Sequence, residues 1–108
     1  MKHSAKGKEE FTDLIQPIKL INDFFLSIQS DVRIGPMHIC LYLSLVDQMI
    51  IDCSNPISIR SRQMMSKAKI FGIATYHRVI RDLDDFGYVD YMPSYYHRNP
   101  SQVYLNKI

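Results

Sequence analysis

A chain of 108 residues is long enough for one hydrophobic core and too short for two independent ones. Apolar residues make up 46% of it and charged residues 22%, a globular balance, and no apolar stretch reaches the ~18 residues that a bilayer span requires, so a membrane-spanning chain is excluded. The net charge of +2 is split unevenly: residues 1–57 carry five Lys/Arg against seven Asp/Glu, and residues 58–108 carry eight against four.

Residues 1–9 hold three lysines, a glycine and no large apolar side chain after Met1, which predicts a disordered tail. No apolar segment with a small-residue cleavage site follows these charges, so no secretory signal is expected and the protein is assigned to the cytoplasm. From Glu10 to Ile28 the positions Phe11, Leu14, Ile15, Ile18, Ile21, Phe25 and Ile28 recur at three- and four-residue steps, the stripe of an amphipathic helix in a unit spanning 10–30. Pro17 interrupts it. A proline inside a helix removes one backbone hydrogen bond and clashes with the preceding turn, which predicts a helix start near residue 17 capped by Gln16, in preference to a kink. Phe11, Leu14, Ile18, Ile21, Phe24 and Phe25 are together more apolar surface than one small domain covers, and they predict a homodimer.

The remaining residues, 34–108, read as one domain. Gly35-Pro36 opens a helix that runs to Ile51, with Ile39, Tyr42, Leu43, Val46 and Ile50 on one face and Leu41, Leu45 and Met49 on another. A helix this apolar is the central core helix, covered on two sides. Cys40 lies within the run, where a thiol behaves as a small core residue, so no disulfide to Cys53 is expected. Asp52 to Pro56 supplies turn residues and Ile57-Ser-Ile59 a short extended piece.

Ser61 is the expected N-cap of a helix of about two turns with Met64, Met65 and Ala68 inward. Phe71-Gly72 makes a turn. From Ile73 the positions Tyr76, Val79, Ile80, Leu83 and Phe86 repeat at helical spacing until Gly87, the expected left-handed C-terminal cap. Tyr88 to Met92 alternates as a strand, 93–100 is a polar and aromatic loop, and Gln102 to Leu105 reads as the returning strand of a hairpin.

Helix, short strand, helix, tight turn, helix and two-stranded hairpin, in that order, are the winged helix-turn-helix arrangement: mainly α, with a small β-hairpin wing and here an extra N-terminal helix. Between Arg60 and Arg81 stand six basic residues and no acidic one, the footprint of a surface that meets phosphates. With Tyr76, Val79, Ile80 and Leu83 inward, the last helix turns Ala74, Thr75, His77, Arg78 and Arg81 outward as candidate base readers. Arginine suits a bidentate contact with guanine and threonine a thymine methyl or a polar base edge, so Arg78 and Thr75 lead. Arg60, Ser61, Arg62, Gln63, Lys67 and Lys69 are the candidate backbone contacts, helped by amide groups at the helix starts. The loop offers Tyr95, Tyr96, His97 and Arg98 to the backbone or the minor groove, with Arg98 foremost. Asp82, Asp84 and Asp85 fall at the far end of the helix, away from DNA if its N-terminal part enters the groove.

The run Asn55-Pro-Ile-Ser-Ile-Arg-Ser-Arg62, then Ala74-Thr-Tyr-His-Arg-Val-Ile-Arg-Asp-Leu83, then Phe86 to Tyr95 and Ser101 to Leu105, resembles a family of small bacterial winged-helix proteins. Met37 to Leu43 resembles that family's first core helix, so the likeness covers roughly residues 20–105. Members are usually labelled transcriptional regulators and are often found with conjugative transposons. The resemblance implies double-stranded DNA as partner and a role as a regulator or a mobile-element accessory factor. The family's wing carries a glycine before the serine matching Ser101, where this chain has Asn99-Pro100.

Other chemistry finds little support. His38 and Cys40 are two apart on a helix and diverge, no Cys-x-x-Cys is present, and His77 and His97 lack a second ligand at a recognised spacing, so no metal is expected. No phosphate loop, dinucleotide motif or nucleophile with a base stands in the sequence, so neither an enzyme, a cofactor nor a small-molecule ligand is expected. A winged helix that docks a protein of the same replication or transfer complex, without touching DNA, is the other reading.

Overall fold

The computed structural model describes the backbone of residues 2–96 and 99–106, with side chains from residue 15 on. The first helix, α1, spans Lys2–Ile28 with Pro17 inside it. The helix therefore does not start near residue 17, and it takes in residues 2–9 of the stretch read as a tail. The physical reason lies in the stripe. Pro17, Leu20 and Phe24 are buried along one line of the helix, and Ile21 and Ile28 are partly buried beside them. A mid-helix proline costs about 3 kcal/mol, and each fully buried apolar side chain contributes about 1.5–3 kcal/mol, so packing outweighs the local rule.

The second helix, α2 (Pro36–Asp52), starts with Pro36 in its first turn and ends at Cys53, whose φ is 49°. It packs against α1 and three later elements, as a central helix should. Leu41, Tyr42, Leu45, Val46 and Met49 are buried, whereas Cys40 is exposed, as is Cys53, and both are free thiols. Cys40 is thus not a core residue. On an apolar helix, periodicity alone does not choose which residue faces outward.

Strand β1 (Ile57–Ile59) leads into α3 (Ser61–Ala68) and α4 (Ile73–Asp85), followed by β2 (Val89–Met92) and β3 (Ser101–Leu105). The three strands form one antiparallel sheet in the order β1-β3-β2. Ile57 pairs with Val103, and Val89 and Tyr91 pair with Leu105 and Val103, so one sheet face turns these side chains inward. Asn55 brackets the end of the central strand: its amide donates to the Leu105 carbonyl at 3.2 Å and its carbonyl accepts the Leu105 N–H at 2.9 Å. The core is continuous from Leu20 and Phe24 through α2 to Tyr76, Ile80, Val89 and Val103. No helix among the described residues is long and apolar enough to cross a membrane.

The face of α1 read as a dimer surface divides in two. Phe24 is fully buried, its ring stacked on Tyr42 with centroids 3.9 Å apart, so it belongs to the core. Ile21 is partly buried. Ile18, 64% exposed, and Phe25 stay at the surface with Ile15 and Leu26. The side chains of Phe11 and Leu14 lie outside the described residues.

Candidate nucleic-acid interface

Two short helices joined by a tight turn carry most of the candidate residues. Helix α3 ends in a left-handed residue, Lys69, with φ 60°. The Ile70 N–H donates to the Met65 carbonyl at 2.9 Å and that of Lys69 to Ser66 at 3.3 Å, which closes the helix and turns the chain. Gly72 then serves as N-cap of α4. At its far end α4 closes on Gly87, with φ 88°, the Tyr88 N–H donating to Leu83 at 2.9 Å. The glycine stop read from the sequence is observed.

Which way α4 faces decides the surface. Tyr76, Val79, Ile80 and Leu83 are buried, and Ala74, Arg78 and Arg81 are exposed. Thr75 and His77 are half-buried, the His77 ring meeting the edge of Tyr76 at 5.4 Å. The inward stripe and the outward cations are therefore where the periodicity put them.

Ser61 is not the cap of α3. The cap is Arg60, in extended conformation and making no side-chain cap bond, and its carbonyl accepts the first helical bond from Met64 at 3.1 Å. Arg60, Arg62, Gln63 and Lys69 are exposed and Ser61 is half-buried. Lys67 is half-buried and engaged within the fold: its ammonium pairs with Asp47 and donates to the Gln48 side chain at 3.1 Å, linking α3 to α2. In the 93–100 loop Tyr95 and Tyr96 are exposed, and His97 and Arg98 lie outside the described residues. The loop is tied at its base by the Ser94 N–H donating to the Ser101 hydroxyl at 3.1 Å. Between this loop and the start of α3 lies an open polar cleft of about 200 Å³, lined in part by Arg60, Ser61, Tyr96 and Asn99.

Two features at this surface have no counterpart in the sequence reading. Phe71, in the turn ahead of α4, is 90% exposed, with the half-exposed Ile73 beside it. Its only sequence signal is an aromatic residue placed in a turn rather than on the helical stripe. Asp82 is the second. Its Oδ2 lies 2.9 Å from Nε2 of His38, a buried side chain of α2, and 3.5 Å from Nη1 of Arg78. Nothing local announces this, because His38 is 44 positions upstream of Asp82.

A second acid, Asp31, is held near the same end of α4. Arg33 hydrogen bonds to it at 2.8 and 2.9 Å and the Tyr88 hydroxyl donates to it at 2.7 Å, and these bonds keep its carboxyl well below the usual carboxylate range. The Arg33 guanidinium lies 4.0 Å over the Phe86 ring, so the α1–α2 connection is fastened to the end of α4. Among the described residues no three His, Cys, Asp or Glu side chains come together as a metal site.

Comparison of the chain with known protein families, with curated proteins and with solved structures gave no match.

Proposed function

We propose that the chain is a winged helix-turn-helix protein that binds double-stranded DNA with sequence preference, α4 entering the major groove and the 93–101 loop meeting the backbone or the minor groove. The observation that carries this reading is the division of α4, whose apolar stripe is buried while Ala74, Arg78 and Arg81 are exposed at its outer face. The order of elements and the β1-β3-β2 sheet support the fold, since a third strand flanking the hairpin is what a wing on such a helix pair calls for. Exposed Arg62 and Lys69 suit phosphate contacts. A role as a homodimeric regulator or mobile-element accessory factor goes with this reading, the exposed Ile15, Ile18, Phe25 and Leu26 of α1 forming the association face.

The test is a titration of the full chain against duplexes selected from a random pool, at two salt concentrations. Arg78→Ala is expected to weaken the selected site by about 1–3 kcal/mol and relax its sequence preference, whereas Arg62→Ala weakens every sequence alike and flattens the salt dependence. Binding that is weak and indifferent to salt would overturn the proposal. That outcome would favour a protein-docking module, a reading the exposed Phe71, Ile73, Tyr95 and Tyr96 support.

A further inference from the structure

Arg78, exposed on α4, is linked to the buried His38 of α2 through one carboxylate. His38 accepts the Gly35 N–H on Nδ1 at 3.0 Å, which leaves its proton on Nε2, and that N–H donates to Asp82 Oδ2 at 2.9 Å. The His38 side chain is 9% exposed, so the imidazole is fixed by packing as well as by two hydrogen bonds. Asp82, 27% exposed, is thereby held as a fixed anion one helical turn beyond Arg78, whose side chain is 61% exposed and whose Nη1 lies 3.5 Å from the same oxygen.

Helix stability does not account for this arrangement. An acid in the last turn opposes the helix dipole, and an arginine followed four residues later by an acid is the weaker order for a helical pair. What the carboxylate does achieve is orientation. It limits the directions open to a long, exposed guanidinium before any partner arrives, and preorganisation of this kind raises affinity for the one geometry it favours. It also offsets the Arg78 charge, which lowers attraction to phosphates of any sequence.

Resting on the DNA-binding reading above, we infer that Asp82 is a positioning residue that orients Arg78 for a base contact and sets the ratio of specific to non-specific binding. His38 is its support. The acids of α4 are then not all remote from the DNA-facing surface.

The experiment uses the full chain, a duplex selected by the wild type from a random pool and a scrambled duplex of equal length. Asp82→Asn keeps an oxygen able to accept the His38 N–H. It is expected to lower the ratio of specific to scrambled affinity about 3- to 10-fold while affinity for the scrambled duplex rises. In an Arg78→Ala background the same substitution is expected to leave that ratio unchanged, because the residue acts through Arg78. A merely structural role would lower thermal stability and both affinities in parallel, and a constant ratio for Asp82→Asn in a wild type that binds would overturn the inference. Persistence of its effect in the Arg78→Ala background would do the same. If the wild type shows no salt-dependent binding to any duplex, the DNA-binding reading itself falls, and the role of Asp82 falls with it.

Discussion

Whether α1 belongs to the core or serves only as an association surface is decided at Phe24. Its side chain is fully buried, stacked on Tyr42 at 3.9 Å with an interplanar angle of 4°, and it meets Tyr88 edge-on at 5.2 Å. Burial of a side chain of this size contributes about 1.5–3 kcal/mol, and each ring pair adds about 0.5–1.5 kcal/mol. With the cavity left behind, Phe24→Ala is expected to cost about 3–5 kcal/mol, a large part of the roughly 5–15 kcal/mol that holds a domain together. Equilibrium urea unfolding with an unchanged slope reads this directly, and the melting temperature should fall by about 12 °C or more. Ile18→Ala, on the exposed side of the same helix, is the control and should stay within about 0.5 kcal/mol at concentrations where the chain is monomeric. A loss below about 1 kcal/mol for Phe24→Ala, or equal losses for the two, would show that α1 is not docked on α2 in solution, since such a small loss is typical of a surface position.

The Tyr42 hydroxyl is buried with no hydrogen-bond partner among the described residues, and burial, with the Asp23 carboxylate second, pushes its phenol up to about 12. Removing an unsatisfied oxygen in Tyr42→Phe is therefore expected to raise stability by about 1 kcal/mol in urea melts, and a comparable loss would refute the reasoning. Burial also raises Tyr76, and burial followed by the Asp31 hydrogen bond pushes Tyr88 up to about 12, against an unperturbed 10.0. Above pH 10 the unfolded chain has released protons that the folded chain retains, so stability should fall as pH rises from about 10 to 12; a flat profile in denaturant titrations at pH 9 to 11.5 would contradict this. Lys67→Ala should lower stability by no more than about 1 kcal/mol and leave unaltered the salt dependence of the DNA binding proposed above. A flatter salt dependence would mean that the ammonium leaves Asp47 for a phosphate.

Much of this architecture is written in local pattern. The stripe Tyr76, Val79, Ile80, Leu83 fixes the facing of α4, Gly87 ends it, and the apolar alternation about Ser58 gives β1. What escapes a local reading has its cause elsewhere in the chain. Pro17 is tolerated because Leu20 and Phe24 bury the same line of helix. Phe24 and Phe25 are neighbours of equal hydropathy about 100° apart on the helix, and only the position of Tyr42 decides that the first enters the core. Cys40 turns outward, which the uniformly apolar pattern of α2 does not announce. Of the candidate interface residues, Ala74, Arg78 and Arg81 are exposed as their spacing indicates, whereas Lys67 is paired with Asp47 on another helix.

A count of charges along the chain therefore misstates the electrostatics of the surface. Six basic residues stand between Arg60 and Arg81, yet Lys67 is bound to α2 and Arg78 leans on Asp82. The acids that follow them are turned to use in the same way. Asp82 meets His38 on α2, and Asp84 accepts the Tyr91 N–H at 3.2 Å at the neighbouring strand. Each is unfavourable at the end of an isolated helix, and each is held by a donor from a different element. Those two bonds, one to α2 and one to β2, fix the rotation of α4 about its axis at its acidic end. The direction in which Ala74, Arg78 and Arg81 are presented is thus set jointly by the buried stripe and by these two bonds just beyond Arg81.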